Sequence, residues 1–298
     1  MIAMALGLLV VGAAVSMFLS FSRTFAASQS LSRVQENARV AFELMARDVR
    51  EGGGNPCSRY LKIANVLNGA GGTWWNSTNW IGTRGYDNGS LPGSLPGTDA
   101  FEVISGSALA ASVVNHNPGL TTFVVTPAEH GFVANDILMV CDYGQAAIFQ
   151  MTGPPGNPVT NGQILHEEDV GSPGNCSKGL GFMAPMDCTT PTGQQYRFDD
   201  NAQVVRLSAQ RWYVAANGRG GNSLYRVALR GNAVGAAEEV VEGVADMQLT
   251  YLHPYVVAAG SYVDATTINL GPWKWPEISA MRVRIVLAGT DRLVPTVA

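Results

Sequence analysis

The chain has 298 residues, enough for two average domains or for one domain carrying an appendage. Charged side chains make up 14%, 34 glycines and 15 prolines exceed the usual share, and 46% is apolar, which together exclude a coiled-coil rod and a disordered tail. With 19 basic against 23 acidic residues the net charge is -4, so no cationic surplus exists to neutralise a phosphate backbone and no nucleic-acid partner is expected.

From Met1 to Phe21 no charged residue occurs. A helix of that length spans ~30 Å at 1.5 Å per residue, the thickness of a bilayer's hydrocarbon core. The run exceeds the ~7 to 15 apolar residues of a secretory signal peptide, and no basic residue precedes it. Leu6, Leu8, Leu9, Val10, Val11, Val15, Phe18 and Leu19 are therefore expected against lipid or against equivalent helices. After Arg23, the residues Leu31, Val34, Ala38, Ala41, Phe42, Met45 and Val49 recur at three-and-four spacing with Arg33, Glu36, Arg39, Glu43, Arg47 and Arg50 between them. That pattern predicts an amphipathic continuation of the same helix, in which Leu31, Val34, Ala38, Phe42, Met45 and Val49 face a folded head. Gly52, Gly53 and Gly54, followed by Asn55 and Pro56, form a strong stop signal. The chain thus divides into an apolar half-helix over 1–22, an amphipathic half over 23–52 and a head over 53–298. The helix would be ~75 Å long at 1.5 Å per residue, too long for a small head to bury, so its first half needs lipid or sister helices. Arg23 and Arg33 after the span place the head in the cytoplasm by the positive-inside rule. The cysteines favour an oxidising compartment instead, and a short basic leader before Met1 would remove the conflict.

Residues 52–200 are loop-rich, with turn clusters at 69–80, 87–99 and 152–162, and brief strands are predicted at 101–105, 121–126, 136–141 and 147–152. From 202 on, the runs AQVVRLS, QRWYVAA and SLYRVAL read as three strands of an antiparallel meander, with the clearest break at 217–221. Two more strands are predicted in 240–252 and 278–289. In the second, Met281, Val283, Ile285 and Leu287 alternate with Arg282, Arg284 and Val286, one face buried and one wet. A long helix followed by antiparallel strands is an α+β pattern.

The segments MIAMALGLLVVGAAVSMFLSF, QENARVAFELMARDVREGG, DILMVCDYGQAAIFQMT, SLYRVAL, EEVVEGVADMQLTYL and ISAMRVRIVLAG resemble type IV pilin-class subunits. The resemblance is nearest to minor pilins of the PilW type and their pseudopilin relatives in type II secretion. It implies a basic leader and a mature start, phenylalanine with glutamate at its fifth position, upstream of Met1. It also implies a pilin-like fold, a long helix laid on an antiparallel sheet. The implied function is that of a minor pilin held in the inner membrane with its head in the periplasm, then built into an extracellular pilus near its tip. Expected partners are lipid before assembly, other minor pilins, the major pilin, a large tip adhesin and the inner-membrane assembly platform. A secretion pseudopilin and an anchored carbohydrate-binding module are the rival readings.

Four cysteines, Cys57, Cys141, Cys176 and Cys188, allow three pairings. The preferred one joins Cys176 to Cys188 across a short loop and Cys57 to Cys141, with the other two left open. His116, His130, His166 and His253 show no metal-ligand spacing, and the acidic turn at 166–169 lacks a calcium-loop pattern. No nucleophile elbow or phosphate loop occurs in a strand-turn-helix context. No catalytic, cofactor or metal residue is assigned. Trp74, Trp75, Trp80, Trp273 and Trp275 are the candidate partner contacts, because loop tryptophans often mark a contact surface.

Overall fold

A computed structural model describes residues 2–54, 56–58, 61–76, 82–156, 158, 160–182, 188, 190–255, 261–271 and 275–289. The side chains of Ala3, Ala5 and Leu6 lie outside the described set. The elements are α1 (Ile2–Glu51), β1 (Ile63–Asn65), β2 (Gly82–Tyr86), β3 (Ala100–Asn117), β4 (Thr122–Thr126), β5 (Ile137–Cys141), β6 (Ala146–Gln150) and β7 (Gln163–Leu165). There follow β8 (Gln203–Ala216), β9 (Asn222–Arg230), β10 (Ala233–Val234), β11 (Glu238–Glu242), β12 (Val244–Leu252), β13 (Tyr262–Val263), α2 (Ala265–Leu270) and β14 (Ala280–Leu287). This is an α+β chain.

Two long antiparallel strands, β3 and β8, form the spine of the large sheet. At one end they carry β4 and β7 on one side and β5, β6 and β1 on the other. At the other end they carry β2 on one side and β9 with β10 and β11 on the other. A second sheet, β13-β12-β14, completes the fold. The brief strand predicted at 101–105 is thus the start of an 18-residue strand. Likewise the runs AQVVRLS and QRWYVAA are one strand, because Ser208, Ala209 and Gln210 pair with β3 without a break. Conversely, the strand predicted at 240–252 is divided at Gly243, whose φ of 83° separates β11 from β12.

Alternation along β8 assigns the cores. Val205, Leu207 and Ala209 enter one cluster with Ile104, Ile137 and Met139. Trp212 and Val214, of opposite parity, join Ala41 and Met45 of α1 and Met247, Leu249 and Tyr251 of β12. The helix, the end of the large sheet and the small sheet therefore share one core. Burying a side chain such as Met45 there is worth about 1.5–3 kcal/mol. Gly85 lets these layers approach, since a Cβ at that position would stand 2.7 Å from Cε2 of the Tyr251 ring.

Candidate functional site

The first feature is the free half of α1. The helix is long and apolar enough to cross a membrane, by length and composition, and its apolar stretch is not buried in the fold. Leu8, Leu9, Val10, Val11, Val15, Phe18 and Leu19 are all exposed, Leu8 at 75% and Phe18 at 72%. No charged side chain lies among them. Such a surface is stable only in lipid or against similar helices.

The second feature is the seam that fastens the helix to the head. Ser30 is buried and lies against Gly289 beyond β14, and Asn37 Nδ2 donates to the Glu242 carbonyl at 3.4 Å. Further along, Ala41 and Met45 are buried, and Asp48, fully buried, accepts a hydrogen bond from Trp212 Nε1 at 2.9 Å. Arg226 lies over this indole, its Cζ 5.7 Å from the ring centroid. Then the glycine stop is stitched to the spine. Gly53 N donates to the Ile104 carbonyl at 3.0 Å, and Gly106 N to the Gly54 carbonyl at 2.7 Å. The expected packing stripe is corrected here: Met45 is buried and Val34, Ala38 and Val49 are half-buried, but Leu31 and Phe42 are 59% and 64% exposed. The contact face runs instead through Ala41, Met45 and Asp48. Phe42 lines a cleft of about 590 Å³ between α1 and β14, together with Met45, Val49, Trp275 and Met281.

The tryptophans do not form one surface. Trp75 is 6% exposed and belongs to a core cluster, so it is no partner contact; it roofs the sheet face on which Ile104 and Ala209 lie. Trp74 is half-buried at the edge of that roof, with the Arg211 guanidinium 4.7 Å from its ring centroid. Trp275 is also half-buried, set edge-on to Tyr251 at 5.0 Å and donating from Nε1 to Asn269 Oδ1 at 3.0 Å. Trp80 and Trp273 lie outside the described residues.

Disulfides join Cys57 to Cys141 and Cys176 to Cys188. Two histidines that look unrelated in sequence meet in the core. His116 and His166 are buried, their Nε2 atoms 3.2 Å apart, among Phe123, Phe149 and Phe198. His116 Nδ1 accepts from Phe198 N, so its Nε2 bears the proton and donates to His166. Burial holds both rings well below the ordinary histidine pKa. At the acidic turn, Glu168 pairs with Lys178 at 3.7 Å. Among the described residues, no three His, Cys, Asp or Glu side chains converge on a metal-sized site.

Residues 211–296 match the model of the family Type IV Pilus-assembly protein W, PilW. Over that stretch the chain is similar to the PilW family. The matched stretch holds Trp212, the small sheet and β9 to β11, the elements that grip the second half of α1. No curated protein and no solved structure matches the chain. PilW is a pilus-assembly family rather than a known enzyme family, and the PilW type is in keeping with contacts to other pilus components. The apolar half-helix can serve such a protein as a membrane anchor.

Proposed function

We propose that this PilW-type protein is a minor pilin that waits in the inner membrane, head in the periplasm, and is then built into the type IV pilus near its tip. Residues 1–22 are the exchangeable half, 23–52 the half that carries the head, and 53–298 the head. One observation carries the reading: an uncharged, exposed half-helix continues without a break into a half locked onto the head by Asp48, Trp212 and the glycine stop. Lipid tails and neighbouring apolar helices are similar surroundings, so moving that half from one to the other changes the free energy little and close packing decides the outcome. The head follows rigidly. In this reading the partners are other minor pilins, the major pilin, a tip adhesin and the inner-membrane assembly platform, and fibre initiation serves adhesion and twitching motility. The α+β fold, a long helix laid on an antiparallel sheet, supports it, as does the pilus-assembly match, which favours a pilus over a secretion pseudopilus.

The test places arginine at Leu9 and Val15. An arginine at the centre of a membrane helix costs about 2.5–3.5 kcal/mol on insertion scales. Cells making this variant should retain a folded, disulfide-bonded head yet lose the protein from purified pili. Normal incorporation would overturn the proposal.

A further inference from the structure

The face of the large sheet opposite α1 is roofed for half its length and then opens. Ile104, Ala209 and Leu229 lie beneath the loop that carries Trp75. In the next row the strand pairing aligns Arg84, Glu102, Arg211 and Val227. One row further it aligns Tyr86 with Ala100, and Tyr213 with Tyr225 and Glu239. Period-two alternation sets these rows on the side away from Phe101 and Trp212, which enter the core shared with the helix. Trp74 stands at the edge of the roof over Arg211. The Tyr213 and Tyr225 rings stack with centroids 5.8 Å apart. Arg84, Tyr86, Arg211, Tyr213 and Tyr225 are all half-buried, held in place yet reachable.

The charges on this face do not cancel. Glu102 is buried, and both its oxygens are taken, Oε1 by Arg211 and Oε2 by the Tyr86 hydroxyl at 2.7 Å. Glu239 pairs with Arg219 at the far border. Among the described residues Arg84 has no carboxylate within ion-pair distance, and its Nε, buried against the sheet, has no hydrogen-bond partner. One guanidinium is therefore left without a carboxylate, its Cζ 5.4 Å from the centroid of the Tyr86 ring.

We propose that this face binds an acidic oligosaccharide of the uronate class. A guanidinium fork fits a carboxylate through two parallel hydrogen bonds. Aromatic side chains offer apolar surface together with hydroxyl or indole hydrogen-bonding groups, and a sugar ring presents both a C–H face and a rim of hydroxyls. A single uncompensated charge and an overall charge of -4 suit a weakly anionic ligand better than a dense polyphosphate. The inference is independent of the assembly reading.

The full chain in detergent micelles, titrated with oligogalacturonate and separately with maltohexaose, tests it by calorimetry and tryptophan fluorescence. Oligogalacturonate should bind at least about tenfold more tightly than the neutral sugar, and less tightly as salt rises from about 50 to about 500 mM. Arg84→Gln should weaken binding about tenfold, with Arg84→Lys between the two. Tyr225→Ala should weaken it comparably while the melting temperature changes little. Equal affinity for the two sugars, no binding, or an Arg84→Gln variant that binds normally would overturn the proposal. Loss of fibre incorporation in Arg84→Gln and Tyr225→Ala without any uronate binding would make the face a subunit contact, which also overturns it and leaves the assembly reading standing.

Discussion

Asp48 is a carboxylate removed from water where the helix meets the sheet, and its value lies in what it holds. Oδ2 accepts from Trp212, while Oδ1 faces the Arg47 guanidinium at 3.5 Å. Asp48→Ala strands the buried indole N–H and should cost about 1–3 kcal/mol, whereas Asp48→Asn keeps an acceptor, removes the buried charge and should cost less. Chemical denaturation of both variants decides it, and equal losses would mean that the hydrogen bond is not what matters. The histidine pair makes a second prediction at this scale. The native rings resist protonation while the unfolded ones accept protons below about 6.5. The unfolded state therefore binds more protons as pH falls, and stability is full above that value and drops below it. The slope approaches about 1.4 kcal/mol per pH unit for each histidine. His166→Gln, which leaves an acceptor for His116, should lower the slope by about one histidine's share in denaturation curves taken between about pH 7 and about pH 4.5; an unchanged slope would place the dependence elsewhere.

At the scale of elements, the helix end shows what a glycine run does beyond stopping a helix. A Cβ on Gly52 would lie 2.6 Å from Thr83 Oγ1 and 3.0 Å from the Val49 carbonyl, so the turn packs directly on the Thr83 side chain of β2. Gly52→Ala should cost about 1–3 kcal/mol through overpacking. Thr83→Ala in the same chain should recover part of it, and no recovery would assign the loss to the backbone contact alone. The stop was legible in the sequence because Gly52, Gly53 and Gly54 act locally. The contact face of the helix was legible only in part. An apolar stripe cannot announce that one of its members is the polar Asp48, and Leu31 and Phe42 share the stripe's spacing yet stay exposed. Strand length failed for a similar reason: the continuity of β8 past Ser208 is set by β3, which lies about a hundred residues earlier in the chain.

Across the whole molecule, the features hidden from the sequence are those created by strand register. His116 meets His166 across 50 positions, and Arg211 meets Glu102 across 109, with no motif to flag either pair. The tryptophans were visible as a class, yet only topology separates Trp75, which closes a core, from Trp74, which borders an open face. The disulfides bring the same long-range logic to stability. Cys57 follows the helix stop and Cys141 ends β5, so their bond spans 84 positions and ties the chain leaving the helix to the middle of the large sheet, whereas the Cys176–Cys188 bond spans 12. In the chain-entropy account, closing loops of these sizes contributes about 4.5 and about 3 kcal/mol. Replacing Cys57 and Cys141 by serine should therefore lower the melting temperature more than replacing Cys176 and Cys188. It should also speed proteolysis between the glycine stop and β1, since that segment links the rigid helix to the head. If the short-loop variant proves the less stable, or the junction is cut no faster, the long bond is not what fixes the head to its helix, and the hydrogen bonds of Gly53, Gly106 and Trp212 must carry that attachment alone.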